Sequence, residues 1–252
     1  MNIIDRFRLD GRKALVTGAG QGLGKAFALA LAEAGADVAA ADIVEEKAAA
    51  TAAAIASLGR QAITIKVDIA DRQAVQAMVA ECLRHFGRLD IGVNNAGIAI
   101  PIAPAGRVDA EAWRRQMAVN LDGTFWCIRE QAEAMKPNGY GKIVNIGSIC
   151  GHIVWPDPQA AYSISKAGVI HMTRCLAAEY IRHGIRINCI SPGVTRVEGL
   201  YEEVVAVYLK KAPIDRIGCV ADHQGALVYL ASEVSYFMVG QELIVDGGYM
   251  LP

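Results

Sequence analysis

The sequence KALVTGAGQGLG, residues 13–24, decides the fold of this chain. Its first five residues form an apolar run of strand length, and its glycines lead into a segment of helical period at 22–34. Glycines permit a tight turn there and let backbone N–H groups approach a pyrophosphate at the positive end of the helix. A glycine loop between a strand and a helix therefore predicts a dinucleotide-binding unit.

The same alternation of strand and helix continues along the chain. Near-continuous apolar strands that alternate with helices indicate a parallel sheet covered on both faces, which is a doubly wound α/β fold. We expect seven parallel strands in one Rossmann-type domain that spans residues 1–252. The predicted strands are 13–17, 37–42, 62–67, 89–94, 142–147, 185–191 and 243–245, and the predicted helices are 22–34, 44–58, 71–86, a long stretch around 110–135, and 161–183.

Composition narrows the class of protein. The 252 residues are 53% hydrophobic and 20% charged, with a formal net charge of −1. We expect no nucleic-acid partner and no membrane partner, because there is neither a strong basic balance nor an apolar stretch of spanning length. The six cysteines are scattered without a C-x-x-C pair, so we expect no metal site and a reducing, cytoplasmic location.

An acidic residue ends the second predicted strand. Asp42 follows Gly18 by 24 residues, and a carboxylate at this spacing can accept hydrogen bonds from both adenosine ribose hydroxyls. Its charge also repels a 2′-phosphate, and Gln21 in the glycine loop is not basic. The sequence therefore favours NAD over NADP as the cofactor.

Tyr162 and Lys166 stand four residues apart in a predicted helix, so their side chains share one face. A free tyrosine has a pKa of about 10 and needs help to exchange protons near neutral pH. A nearby cation favours the phenolate and so supplies that help. The pair predicts an acid–base function, although a Y-x-x-x-K pattern alone is weak.

Several further motifs accompany this pair in a fixed order. With them the chain resembles the short-chain dehydrogenase/reductase family, in its branch of about 250 residues, over essentially its whole length. The matching motifs are T-G-x-x-x-G-x-G at 17–24, Asp68 in KVDI, NNAG at 94–97, Asn120, Ser148, Tyr162 and Lys166, RIN at 186–188, SPG at 191–193 and DGG at 246–248.

The resemblance implies roles for four catalytic residues. Tyr162 is expected to be the general acid or base, and Ser148 to hydrogen-bond the substrate oxygen. Lys166 is expected to bind the nicotinamide ribose and to lower the pKa of Tyr162. Asn120 is expected to hold a water molecule that links Lys166 to solvent.

The resemblance also implies a set of cofactor contacts around NAD. Asp68 and Ile69 are expected at the adenine, and backbone groups of Val194 at the carboxamide of the nicotinamide. The complete expected set is Gly18, Gln21, Gly22, Leu23, Gly24, Asp42, Ile43, Asp68, Ile69, Asn95, Ala96, Gly97, Tyr162, Lys166, Pro192, Gly193, Val194 and Thr195.

The substrate class follows from the segment that leads to Tyr162. Residues 148–162 and the ending DGGY at 246–249 are similar to relatives that interconvert sugar alcohols and ketoses, although Cys150 and Trp155 depart from their pattern. Trp155 either walls the substrate pocket or packs at the surface, and His152 is expected to form a loop hydrogen bond. We expect a secondary alcohol or ketone substrate, a polyol first of all, in contact with Ser148, Cys150, Trp155, Tyr162 and Gly193.

Two alternative functions remain open. One is a 3-oxoacyl or 3-hydroxyacyl reductase, a branch that usually prefers NADPH and carries a basic residue near the position of Gln21. The other, from a different class, is an inactive dinucleotide-binding sensor or structural subunit. The resemblance further implies a homotetramer, and the irregular segment 194–213 is expected to be a substrate lid. Some relatives bind a divalent cation at the C-terminal end, where this chain has Pro252.

Overall fold

The computed structural model describes residues 2–156 and 159–251, and the predicted doubly wound fold is confirmed. Seven strands form one parallel sheet in the order β3-β2-β1-β4-β5-β6-β7. Residues 157, 158 and 252, which include the position considered for a cation, lie outside the described residues. The strands are β1 Lys13–Thr17, β2 Asp37–Asp42, β3 Ala62–Lys66, β4 Ile91–Asn94, β5 Gly141–Ile146, β6 Ile185–Pro192 and β7 Glu242–Val245.

Helices cover both faces of this sheet. Successive strand residues point to opposite faces, so Val16 of β1 packs in one apolar cluster and Leu15 packs in the other. The first cluster joins the sheet to α1, α2 and α8, and the second joins it to α3, α5 and α6. The α-helices are α1 Gly22–Glu33, α2 Glu45–Ser57, α3 Arg72–Phe86, α4 Ala110–Met117, α5 Thr124–Met135, α6 Ala160–Tyr180, α7 Glu202–Leu209 and α8 Ala221–Ala231.

The long helix predicted around 110–135 is divided by a π-helical turn. Residues Ala118–Gly123 form this turn between α4 and α5, and the hydroxyl of Thr124 donates to the carbonyl of Asn120 at 2.8 Å. A Cβ atom at Gly123 would lie 2.8 Å from the carbonyl oxygen of Ile69, so the turn packs closely against the loop after β3. The periodicity of apolar residues does not reveal such a local change of winding.

The predicted irregular segment 194–213 contains a helix. Helix α7 buries Val205 and Tyr208, and Tyr208 stacks on Tyr249 with ring centroids 4.9 Å apart. The segment is therefore packed against the C-terminal part of the chain through aromatic side chains. Along the described chain, no helix combines the length and the apolar composition that a membrane crossing requires.

The strand order places a crevice at one edge of the sheet. The chain runs outward from β1 to β3, then crosses back to form β4 on the other side of β1. In open α/β sheets a ligand crevice forms outside the carboxyl ends of the strands at such a reversal. The ends of β1 and β4, at Thr17 and Asn94, lie next to each other in register. The site is therefore expected beyond these two residues.

Candidate active site

A cavity of about 580 Å³ opens at this edge, along the carboxyl ends of β1, β2, β4, β5 and β6. It collects most of the residues that the sequence predicted for the site. The predicted residues that line it are Gly18, Gln21, Gly22, Leu23, Asp42, Ile43, Asp68, Ile69, Asn95, Ala96, Gly97, Ser148, Tyr162, Lys166, Pro192, Gly193 and Thr195.

The glycine loop needs its glycines for two different reasons. Gly18 and Gly22 have φ values of 64° and 53°, a region that side chains with a Cβ atom rarely adopt. Gly24 does not line the cavity; it lies beneath the loop, where a Cβ atom would overlap with the carbonyl oxygen of Gly18 and with Nδ2 of Asn95. Asn95 Nδ2 donates to the carbonyls of Thr17 and Gly18 at 3.1 and 3.2 Å, which ties the loop to β4.

The N-terminus of α1 points its free backbone donors at this loop. Gln21 is the N-cap, its side chain makes no capping hydrogen bond, and the first turn carries no acidic residue. The first N–H groups of a helix have no intrahelical partner and carry partial positive charge. Together with the positive φ values at Gly18 and Gly22, this arrangement fits the pyrophosphate of a dinucleotide.

Asp42 is held rigidly at one end of the cavity. Its carboxylate accepts hydrogen bonds from the backbone N–H groups of Gly20 at 2.8 Å and Val44 at 3.0 Å. Lys47, which the sequence analysis missed, lies beside it: its Nζ donates to Oε1 of Gln21 and lies 3.9 Å from Oε2 of Glu198. The signal was available, because Lys47 is in the first turns of the helix that follows Asp42.

Other unpredicted residues complete the lining. Arg115 pairs with Asp68 at 2.8 Å between Nη2 and Oδ2, at the end of the cavity where the adenine was expected. Ile98 and Ala99, which directly follow the NNAG motif, line the cavity together with Val197 from the predicted lid. Val197 also lies over the glycine loop, because a Cβ atom at Gly22 would be 3.4 Å from its Cγ1.

Tyr162 and Lys166 lie one turn apart on α6, as predicted, and Ser148 faces the same cavity from the end of β5. Lys166 Nζ donates to the carbonyl oxygen of Ile146 at 2.8 Å and lies 5.7 Å from the ring centroid of Tyr162. Ser148 Oγ accepts a hydrogen bond from the backbone N–H of Cys150 at 3.1 Å. These contacts fix the Ser148 hydroxyl group and the Lys166 ammonium group at the cavity that Tyr162 also lines.

Burial dominates the titration of this pair. It raises the pKa of Tyr162 to about 12 and lowers the pKa of Lys166 to about 8, because each neutral form is favoured away from water. A hydrogen bond with Ser148 acts in the opposite direction on the pKa of Tyr162. In the protein alone, burial therefore outweighs the cation that was expected to lower the pKa of the tyrosine. A further positive charge in the cavity is needed to favour the phenolate.

Asn120 lies behind the cavity wall rather than in it. Its Oδ1 accepts from the N–H of Ile98 at 2.8 Å, and its Nδ2 donates to the carbonyl of Ile98 at 2.9 Å and to Oγ of Ser165 at 3.1 Å. A Cβ atom at Gly97 would lie 3.3 Å from Asn120 Oδ1 and 3.6 Å from Lys166 Nζ, so both side chains approach the backbone of Gly97. Its expected part in a proton relay stays a prediction.

The structure does not bring Cys150 and Trp155 to the cavity. Both are buried in an apolar cluster with Tyr208 and Tyr249, and Trp155 stacks on Tyr249 with ring centroids 5.5 Å apart. The structure has neither of the two arrangements left open for Trp155: the side chain is 3% exposed and does not line the cavity. Their neighbour His152 bonds to Glu242 at 2.7 Å through Nε2.

Val194 is also outside the main cavity. It lines a second, smaller cavity on the other side of the 193–195 segment, together with residues of α7 and α8.

Comparisons with known proteins agree with this geometry. A family model described as enoyl-(acyl carrier protein) reductase matches residues 18–250. The cis-4-hydroxycyclohexanecarboxylate dehydrogenase of Sinomonas cyclohexanicum is 39% identical over 241 residues, which cover 94% of this chain and 96% of the relative. The galactitol 2-dehydrogenase of Rhizobium johnstonii is 38% identical over 259 residues, with 99% of each chain covered.

A solved structure is similar to the chain over its whole length. The crystal structure of a short-chain type dehydrogenase/reductase from Mycobacterium marinum superimposes with a TM-score of 0.96 at 36% identity, and 100% of each chain is covered.

The contact beneath the glycine loop is open to a direct test. We expect Gly24→Ala to lower the free energy of unfolding by about 1–3 kcal/mol, because the added methyl group overlaps with backbone and must displace it. Urea denaturation measures the difference. Gly225→Ala is the matched control: Gly225 is an exposed glycine inside α8 with nothing within 4 Å of its added Cβ, and the change should be neutral or stabilising. Equal stability of the two variants would contradict the packing described for Gly24.

Proposed function

The chain belongs to the short-chain dehydrogenase/reductase family, and from this we propose that it is an NAD-dependent oxidoreductase that interconverts a secondary alcohol and its ketone. The observation that carries the proposal is the convergence of Ser148, Tyr162 and Lys166 on the cavity that also contains the glycine loop and Asp42. A hydride carrier and a proton-transfer group are the two components that alcohol oxidation requires.

In this proposal Tyr162 exchanges the substrate proton. In oxidation, its Oη takes the proton from the alcohol hydroxyl, and in reduction it returns a proton to the carbonyl oxygen. Ser148 Oγ hydrogen-bonds the same substrate oxygen. Two hydroxyl donors at this oxygen stabilise the alkoxide character that develops there. The position of Tyr162 and Ser148 in the lining of one cavity supports this assignment, because one substrate oxygen there could contact both side chains.

Lys166 tunes Tyr162 by its charge. The pKa of Lys166 is lowered to about 8, so the ammonium group predominates at neutral pH and its charge favours the phenolate over the phenol. The hydrogen bond to the carbonyl of Ile146 holds this charge on one side of the tyrosine ring. Lys166 is also the group proposed to bind the nicotinamide ribose, and Asn120 is proposed to carry protons between it and solvent.

The proposed cofactor is NAD. When bound, it supplies the acceptor or donor of the hydride. The first turn of α1 would hold the pyrophosphate, and the carboxylate of Asp42 would accept the adenosine ribose hydroxyls. The fixed position of Asp42, between the N–H groups of Gly20 and Val44, supports the choice of NAD, because a 2′-phosphate there would meet an immobile negative charge.

The proposed substrate class is a polyol or sugar alcohol and the corresponding ketose. Relatives named galactitol 2-dehydrogenase and cis-4-hydroxycyclohexanecarboxylate dehydrogenase support a secondary alcohol with further polar groups. Cys150 and Trp155 depart from the polyol pattern and do not line the cavity, but they belong to the apolar cluster that packs against Tyr162. We propose that these two residues shape the substrate end through that packing, and that Ser148, Tyr162 and Gly193 contact the substrate directly.

We propose that segment 194–213 acts as a lid, which the position of Val197 over the glycine loop supports. We also propose a cytoplasmic homotetramer. Apolar side chains exposed beside the edge strand β7 support an assembly, because Phe237 is fully exposed and Ile244 is 42% exposed.

Removal of one hydroxyl group tests the proposed proton transfer. We expect Tyr162→Phe to reduce kcat/KM for NAD-linked oxidation by about 10²–10⁴-fold, since proton transfer by a positioned side chain contributes that much. The assay follows NADH absorbance with galactitol, threitol and cis-4-hydroxycyclohexanecarboxylate as substrates. Binding of NADH, followed by fluorescence, should stay within about twofold of the unmodified protein because the ring remains in place.

Tyr180→Phe is the matched control for this experiment. Tyr180 lies on the same helix, is 4% exposed, and donates its hydroxyl to Glu133 far from the cavity. It should keep its activity. Activity retained by Tyr162→Phe would exclude Tyr162 as the proton-transfer group, and tight NADH binding without turnover of any alcohol would favour the inactive sensor.

A second experiment tests the cofactor assignment. We expect NAD to be preferred over NADP, and Asp42→Asn to reduce that preference by about tenfold, because one unit charge at close range is worth on the order of 1–4 kcal/mol. The ratio of kcat/KM values for the two cofactors measures it. Glu46→Gln, an exposed acidic residue on α2 outside the cavity, controls for the change of net charge. A preference for NADP in the unmodified protein would overturn the role proposed for Asp42.

A further inference from the structure

A buried histidine stands behind the segment that forms one wall of the main cavity. His223 on α8 is 1% exposed, and its Nε2 lies 2.8 Å from Oγ1 of Thr195. Thr195 itself is 7% exposed and lines the main cavity. The imidazole thus reaches the cavity wall through a single hydroxyl group.

The available protons decide which group donates in this contact. Thr195 Oγ1 has one proton and lies 3.0 Å from the carbonyl oxygen of Gly193, which can only accept. If the hydroxyl donates to Gly193, it must accept from His223 Nε2–H, and both contacts are then hydrogen bonds. If the Thr195 hydroxyl donated to His223 Nε2 instead, the carbonyl of Gly193 would lose this donor. The neutral imidazole would then carry its proton on the buried Nδ1, which has no acceptor among the described residues. The arrangement with the proton on Nε2 leaves fewer buried polar groups unpaired.

His223 also lines a separate cavity of about 190 Å³, which it shares with Gly193, Val194 and Gly218. Nδ1 of His223 has no hydrogen-bond partner among the described residues. The charged groups that line this cavity are already paired: Arg216 bonds both carboxylate oxygens of Asp222 at 2.6 and 2.9 Å, and Asp246 accepts from two backbone N–H groups. Burial lowers the pKa of His223, so the neutral imidazole with one bare nitrogen is favoured.

Backbone hydrogen bonds with Gly218 and Val245 fix the segment that contains Thr195. Thr195 forms a bridge with Gly218, whose N–H donates to the carbonyl of Val194 at 2.9 Å, and Gly193 N–H donates to Val245 at 2.9 Å. A Cβ atom at Gly218 would lie 3.3 Å from Thr195 Oγ1 and 3.5 Å from His223 Nε2, so the pair packs directly over this glycine. These contacts hold the backbone of Thr195, so the hydroxyl proton of Thr195 is the part that can still rotate. The hydrogen bond from His223 Nε2 fixes the direction of that proton.

The order of the strands places Thr195 at the end of the main cavity opposite Asp42. Thr195 follows β6, which pairs with β5 and therefore lies beside Ser148, whereas Asp42 ends β2 beyond β1 and β4. A dinucleotide with its adenosine at Asp42 would bring its nicotinamide half to Thr195. Once the hydroxyl proton is directed to Gly193 and one lone pair accepts from Nε2, Thr195 keeps only an acceptor for a ligand. An acceptor at this place suits the amide N–H₂ group of a carboxamide.

We infer that His223 is a positioning residue for the nicotinamide half of the cofactor: it donates from Nε2 to Thr195 Oγ1 and so fixes that hydroxyl as an acceptor for the carboxamide. The inference rests on the proposed function, because it requires a nicotinamide dinucleotide in the main cavity. It adds a residue of α8 that is outside that cavity and makes no contact with the cofactor itself.

Two ligands and two variants test this role by binding alone. We expect His223→Leu to weaken the binding of NADH roughly three- to tenfold, which is the size of one net hydrogen bond. The affinity for ADP-ribose, which lacks nicotinamide, should stay unchanged. His223→Gln, whose side-chain amide can again donate to Thr195, should restore the NADH affinity. Fluorescence titration measures NADH binding, and calorimetry measures ADP-ribose binding.

Equal weakening of NADH and ADP-ribose in His223→Leu would show a general structural effect and overturn the inference. So would an unchanged NADH affinity, or a His223→Gln protein no better than His223→Leu. Unmodified protein that binds neither ligand would overturn the proposed function together with the inference. Failure of the inference alone is recognised by normal binding of both ligands to the unmodified protein.

Discussion

The buried charge of Lys166 is the interaction around which the site is arranged. Only 6% of this residue is exposed, and a buried ammonium group is costly unless it is hydrogen-bonded. The carbonyl oxygen of Ile146, at the end of β5, supplies one such bond at 2.8 Å. Tyr162 lies one turn before Lys166 on α6. The bond from Lys166 to β5 therefore also fixes Tyr162 relative to the carboxyl edge of the sheet. Ser148 follows Ile146 by two residues, just beyond the end of β5, and lines the same cavity.

Much of this arrangement follows from the sequence, because local rules determine it. The glycine loop, Asp42 at the end of β2 and the i,i+4 pair on α6 each depend on a strand end or a helix turn, and each lies where it was expected. Trp155 could not be placed in this way. Its position depends on aromatic stacking with Tyr249, a residue almost a hundred positions away, and residue spacing contains no information about such long-range packing.

Two other differences have a physical explanation. The π-helical turn that contains Asn120 breaks a helix whose apolar period is continuous, and it coincides with the close approach of Gly123 to the loop after β3. Lys47 was passed over because its neighbours are alanines of strong helical propensity, and the pattern indicated only a helix. Its contact with Gln21 arises when α2 packs beside the glycine loop. The π-helical turn coincides with a tertiary contact that the local sequence does not show, whereas the place of Lys47 in the first turns after Asp42 is visible in the sequence.

The central claim is that Tyr162 exchanges the substrate proton, and the pH dependence of kcat/KM in both reaction directions tests it most directly. Burial raises the pKa of Tyr162, so the phenolate that accepts a proton becomes more abundant as pH rises, and the phenol that donates one becomes less abundant. From about pH 6 to 7, below the pKa of about 8 at which Lys166 loses its charge, kcat/KM should increase with pH for alcohol oxidation and should not increase for ketone reduction. An oxidation rate that is independent of pH over this range, or that falls as pH rises, would contradict the account.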